Sequence, residues 1–203
     1  MPMTDANDPI HVRPIHVRTI RIETVEAGDD ELLVTGRLMD ERPRGGGPPW
    51  FGAEPPPLIH HMTVALRVRF ADLTITGVET AMEAHPYQIC PEALPSLQDL
   101  VGLSVAQGFT RAINERFGRA KGCAHVTALI HAMAPAIKQA AGAAFAHKQR
   151  SWTESAGAWF VNTCQAWREN GPLHRLLVAK DEAGMRAISA YRAVGGSDKP
   201  DSG

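Results

Sequence analysis

At 203 residues and 22.0 kDa the chain has material for one buried core, and two large ones would be crowded. Its 21 basic and 22 acidic side chains, with a pI near 6.8, do not build the positive field that phosphate neutralisation demands, which sets a nucleic-acid partner aside. No apolar run approaches the roughly 18 residues of a membrane span, and three scattered cysteines, Cys90, Cys123 and Cys164, read as reduced thiols of a cytoplasmic protein.

Residues 1–17 hold the near-repeat Pro9-Ile10-His11-Val12-Arg13 and Pro14-Ile15-His16-Val17-Arg18, which runs one residue past them. Each proline removes a donor and turns its predecessor away from helix, so this stretch reads as an extended arm. Residues 18–25 alternate, with Ile20 and Ile22 on one side and Arg21 and Glu23 on the other, as a half-buried strand does. Gly28-Asp29-Asp30 supplies a turn and residues 32–40 the returning strand. Residues 41–57 are dominated by Gly and Pro and form a long loop whose adjacent aromatics, Trp50 and Phe51, either close over an apolar ligand, meet a neighbouring subunit or tuck back against a plain surface loop. Residues 60–70 and 73–84 alternate again around a turn at Ala71-Asp72, so two hairpins predict an antiparallel sheet.

His85 to Pro91 is a turn bounded by prolines, and the rest is helical in character. Helical spacing predicts a short helix over 95–101, another over 108–117 and a long one over 125–145 kinked by Pro135. It predicts a last helix over 158–169, which carries Trp159, Phe160, Cys164 and Trp167 and stops at Asn170-Gly171-Pro172. The class is therefore α+β, an antiparallel sheet of about four strands in two hairpins followed by and packed against three to five helices. A single domain spans 18–178, a weakly structured tail occupies 179–203, and aromatic surface is expected to pair two copies as a homodimer.

Four segments offer chemistry: His60 with His61 at the start of a strand, His85 with Cys90 in the proline-bounded turn, Cys123 with His125 at a helix start, and Cys164. Three readings follow. In a metal-free pocket His60 and His125 serve as general base and acid, because imidazole exchanges protons near neutral pH, while Arg111 or Tyr87 holds an oxyanion or phenolate. In a zinc site His60, Cys90, Cys123 and His125 are the ligand types the metal prefers. In a nucleophilic site Cys123 is activated by the helix start with His125 nearby, which requires both to lie in the turn before the helix, since residues two apart on a helix do not face each other. Trp50, Phe51, His61, His85 and Trp159 are the candidates to line the substrate. No Gly-x-Gly-x-x-Gly follows a strand and no Walker-type loop exists, so no nucleotide cofactor is expected.

Several short motifs carry a resemblance: His60-His61-Met62, Glu83-Ala84-His85-Pro86 through Cys90-Pro91, Leu100-Val101-Gly102-Leu103, Gly108-Phe109-Thr110-Arg111, Gly122-Cys123-Ala124-His125-Val126, and Asn162-Thr163-Cys164-Gln165-Ala166-Trp167-Arg168. In order and spacing, over residues 16–178, the chain resembles the bacterial family catalogued as domain of unknown function 2889. Members carry His-Asp-Met where this chain has His60-His61-Met62, so His60 agrees and His61 departs. The resemblance brings a loose association with bacterial breakdown of lignin-derived aromatics, including a γ-formaldehyde lyase acting on phenylcoumarans. It implies an enzyme acting on a small aromatic molecule, a carbon–carbon lyase that releases formaldehyde by a retro-aldol step or decarboxylates, with no metal favoured. The alternative is a non-catalytic ligand-binding or zinc-binding module.

Overall fold

A computed structural model of the chain describes residues 14–48, 50, 51, 54, 56–148 and 161–189, with backbone alone at 145–148. Four strands form one sheet: β1 (Val17–Glu26), β2 (Glu31–Glu41), β3 (Leu58–Arg69) and β4 (Ile75–Ala84). They pair antiparallel in the order β1-β2-β3-β4, so the two expected hairpins are joined by pairing of β2 with β3 into a meander. The sheet is built by period-two burial. Leu32, Val34 and Leu38 of β2, Met62, Val64, Leu66 and Val68 of β3, and Ile75 and Val78 of β4 are buried, while the residues between them are half-buried or exposed.

Residues Cys90–Ala93, Pro95–Leu100 and Arg119–Lys121 are 3₁₀ turns, the second of which takes the place of the expected short helix and buries Leu97 and Leu100. Helix α1 (Phe109–Phe117) buries Phe109, Ile113 and Phe117, a spacing of four that keeps all three on one side. Helix α2 (Ala124–Lys148) carries Pro135 inside it and buries Val126, Leu129, Ile130, Met133 and Ile137. This α+β arrangement is the expected class. Among the described residues no helix is long and apolar enough to cross a membrane.

The described residues up to His147 form one compact unit, and those from Lys148 onward belong to a second. In the second, residues 161–169 are turns and bends, not the expected helix, with Asn162 inside that stretch at a left-handed backbone angle. Helices α3 (Pro172–Val178) and α4 (Glu182–Ile188) follow, the latter inside the stretch expected to be weakly structured. Its cap explains it: the Asp181 carboxylate accepts from the Gly184 N–H at 2.8 Å. Trp159 and most of the expected arm lie outside the described residues.

Helix α2 sits close over the sheet because β2 has no side chain at Gly36. A Cβ there would lie 2.8 Å from Met133 Sδ and 3.0 Å from Leu129 Cδ1. Gly36→Val should therefore overpack the layer and lower stability by about 1–3 kcal/mol, with Gly36→Ala costing less because Met133 can adjust. Urea unfolding would register this as a lower midpoint at unchanged slope.

Candidate active site

At one end of the sheet the register lays three polar residues in a row across three strands. Arg18 of β1 pairs with Asp40 of β2, and Asp40 pairs with His60 of β3. A register shift beside Asp40 leaves Ile59 as an extra residue between Leu58 and His60, the irregularity of a β-bulge. Asp40 is in phase with Leu32, Val34 and Leu38, and His60 is in phase with Met62 and Val64, so the row belongs to the buried face. Helix α2 begins at Ala124, and its first turn brings His125 to the same place, its ring stacked on that of His60 with centroids 3.8 Å apart.

Asp40 is 1% exposed, the one buried charged residue of the described core. Its Oδ1 accepts from Arg18 Nε at 2.7 Å and stands 3.2 Å from His16 Nε2. Its Oδ2 accepts from Arg18 Nη2 at 2.8 Å and from His60 Nδ1 at 3.1 Å, and stands 3.4 Å from His125 Nε2. Burial alone pushes the Asp40 carboxyl up. The two-pronged Arg18 contact, with smaller pulls from His125 and His16, overrides burial and holds the carboxyl below its ordinary value. An ionised carboxylate only accepts, so the His60 nitrogen facing it carries the hydrogen and Nε2 carries the basic lone pair. Burial lowers the His60 pKa, Asp40 opposes that, and Arg18 and Arg42 add to it, leaving a net lowering. His60 is thus a neutral, oriented base near neutral pH.

Residues 16–139, more than half of the chain, match the family described as protein of unknown function DUF2889. The chain belongs to the DUF2889 family. No curated protein and no solved structure matches it. The family match contains His16, Arg18, Asp40, His60, Cys123 and His125, and it ends within α2, short of the 162–168 stretch that carried part of the resemblance.

Of the expected catalytic residues of this DUF2889 protein, His60 and His125 are brought together and Arg111 is not. Arg111 is on the exposed side of α1, bound to Glu115 at 2.7 Å across one helical turn, and the guanidinium beside the histidines is that of Arg18. Tyr87 stands edge-on to Phe51 with ring centroids 5.8 Å apart. Trp50, Phe51 and His85 line an open cleft of about 610 Å³, together with Leu58, Ile59 and Glu83. His85 is fixed there by its Nδ1, which donates to the Tyr87 carbonyl at 2.8 Å. His61 follows His60 and by strand alternation takes the other face.

Among the described residues, Asp40, His60 and His125 are the set of three whose ligand atoms lie within 4.8 Å of one another; Cys90 and Cys123 are not part of it. The expected zinc ligands therefore do not assemble as a group. Nor does the ring geometry of the histidines suit an ion. Two imidazoles on one zinc, at bonds of about 2.1 Å and roughly tetrahedral angles, would hold their centroids about 5 Å apart. Stacked at 3.8 Å and sharing a carboxylate already gripped by Arg18, they form a hydrogen-bonded cluster instead.

Sequence reasoning missed Asp40, Arg18 and His16. The signal was parity: a carboxylate in phase with the buried face of its strand needs partners, and Arg18 and His60 are the polar residues in phase on the neighbouring strands.

Removing one partner of a buried charge leaves the other uncompensated. Arg18→Met should lower stability by about 2–3 kcal/mol, less than a fully buried pair because Arg18 is 36% exposed and water screens it. Stability should fall on acidification in two stages. Since the folded pKa of His60 is lowered, the unfolded chain binds more protons through the histidine range and stability drops there first. Since the folded pKa of Asp40 is also lowered, its contribution is complete above about pH 4 and is lost as pH falls through the folded value. Urea titrations over a pH series should show the second stage shrinking in Arg18→Met.

Proposed function

We propose that this protein is a carbon–carbon lyase acting on a small aromatic molecule that bears a hydroxymethyl group, with His60 as the proton-transfer residue. The observation that carries this reading is the Asp40–His60 pair: a buried carboxylate held by Arg18 orients one imidazole at 3.1 Å and leaves its Nε2 as the base. That is the arrangement general acid–base catalysis needs, a histidine of fixed tautomer whose charged form has a carboxylate beside it. The aromatic preference is supported by Trp50 and Phe51 in the cleft beside Ile59, next in sequence to His60, with Tyr87 edge-on to Phe51. Trp50 is 71% exposed, an apolar ring that a planar ligand would cover.

In the reaction His60 Nε2 takes the hydroxyl proton. The bond between the hydroxymethyl carbon and the aryl-bearing fragment breaks as the oxygen lone pair forms the carbonyl of formaldehyde. The bonding electrons pass to the aryl-bearing fragment, and the imidazolium returns the proton to it. The net change is R–CH₂OH to R–H plus formaldehyde, with no oxidant and no cofactor consumed. Asp40 stabilises the imidazolium between the two transfers, His125 holds the ring by stacking, and the Tyr87 hydroxyl is the donor available to a phenolate at the cleft.

The rival reading is a metal-binding module without catalysis: Asp40, His60 and His125 lie close enough to share an ion, and binding one would require the stacked rings to swing apart. The two separate by experiment. With a hydroxymethyl-bearing phenylcoumaran, His60→Ala should fold as the parent does and release formaldehyde at least about 100-fold more slowly, and His125→Ala about tenfold more slowly. Arg111→Ala should match the parent. Full turnover in His60→Ala would refute the assignment, and stoichiometric zinc with unfolding on chelation would favour the metal module.

A further inference from the structure

Cys123 sits where a thiol is most easily activated. It immediately precedes Ala124, the first residue of α2, and its carbonyl accepts from the Thr127 N–H at 2.9 Å to close the first turn. Its Sγ lies 3.8 Å from His125 Nδ1. Sequence reasoning requires both residues to precede the helix; His125 is instead in the first turn of α2, and Cys123 alone, in the turn before it, brings the two side chains together. Gly122 helps to set that turn: a Cβ there would come within 3.0 Å of the Phe117 carbonyl oxygen, so the chain passes hard against the end of α1.

The other nitrogen of the same imidazole, Nε2, stands 3.4 Å from Asp40 Oδ2. Sulfur, imidazole and buried carboxylate are thus in line, in the order that nucleophile, base and orienting acid take in thiol catalysis. With Nε2–H directed at the carboxylate, Nδ1 carries the lone pair and faces the sulfur. The electrostatics agree. Burial pushes the Cys123 thiol up, and the His125 contact with the backbone N–H groups of Val126 and His125 brings it below its ordinary value. Neither Cys90, half-buried at the start of a 3₁₀ turn, nor Cys164, exposed in the second unit, has an imidazole contact among the described residues.

We propose that Cys123, His125 and Asp40 form a nucleophilic triad whose sulfur adds to the carbonyl carbon of an aldehyde. His125 Nδ1 takes the thiol proton, the sulfur lone pair forms the C–S bond, and the carbonyl π pair moves to oxygen. That oxygen takes the proton back from the imidazolium. The product is a hemithioacetal, thiol plus aldehyde with nothing else consumed, and the step reverses to release the aldehyde. The activated thiol stands on the geometry alone; the aldehyde as its electrophile rests on the lyase reading, in which formaldehyde is generated at the neighbouring His60.

Iodoacetamide alkylation of the full chain, followed site by site with peptide mass spectrometry, tests both parts. Cys123 should react about tenfold faster than the more exposed Cys164, and the advantage should vanish in His125→Ala. Millimolar formaldehyde should slow alkylation of Cys123 and not of Cys164, with dilution restoring the rate. The comparison with Cys164 is internal to the parent protein, so it holds even where Asp40→Asn fails to fold. Equal rates at Cys123 and Cys164, or an advantage that survives in His125→Ala, would overturn the triad. Fast alkylation without formaldehyde protection would overturn the aldehyde assignment. A protein that passes both arms yet releases no formaldehyde from a hydroxymethyl aryl substrate would refute the lyase reading and leave the triad standing.

Discussion

A buried carboxylate is costly, and the arrangement around Asp40 is what makes it tolerable. Removing an ionised group from water costs several kcal/mol even after relaxation, so the charge persists only where paired and hydrogen-bonded. Arg18 supplies the pairing with two parallel N–H donors, the geometry that suits guanidinium and carboxylate. Because the three strands register Arg18, Asp40 and His60 side by side, satisfying the charge also aims the imidazole. Pairing of the first three strands and orientation of the site are therefore one constraint, and a slip of one residue in either hairpin would send the polar row to the opposite face.

The second contribution comes from above the sheet. Helix α2 approaches β2 at Gly36 until Met133 and Leu129 fill the space a side chain would take. That contact, with the buried run Val126, Leu129, Ile130, Met133 and Ile137, fixes where the helix begins. Its first turn then has little freedom, and His125 arrives over Asp40, with Cys123 beside it, as a consequence of packing about one to two turns away. A rigid helix is a more accurate carrier of such groups than a loop. The Gly- and Pro-rich connection between β2 and β3, which carries Trp50 and Phe51, leaves from the same end of the sheet, so aromatic cleft and polar cluster share one edge.

How far this was legible in the sequence depends on the range of the interaction concerned. The four strands and helices α1 and α2 follow from alternation and helical spacing, which are local, and their bounds differ from expectation by only a few residues. Helix 158–169 shows the limit of spacing: apolar residues recur at the right interval, yet the described part is turns and bends, with Asn162 in a left-handed conformation that spacing does not register. His60, His125 and Cys123 were visible as reactive types. Asp40 and Arg18 were not, because on their own strands they look like the polar half of an alternation. Only parity compared across three strands marks them, and that comparison requires the register. Arg111 failed for the complementary reason: a basic residue on a helix most readily meets an acid four residues on, and Glu115 is there.

The cluster holds more polar groups than one ion pair needs. An Arg–Asp pair at a sheet end can commonly be replaced by apolar residues of similar volume at no loss of stability, so the pair alone would explain little. Here three imidazoles crowd the same carboxylate, two of them on one oxygen, and a thiol follows in line. Arg18 fills two of the carboxylate's roughly four lone-pair sites, and the three imidazoles share the remaining two. The arrangement sets two histidines with different proton partners, one with Nε2 as its basic nitrogen and one turned to sulfur, on a single electrostatic anchor, the division that the proposed proton transfers use.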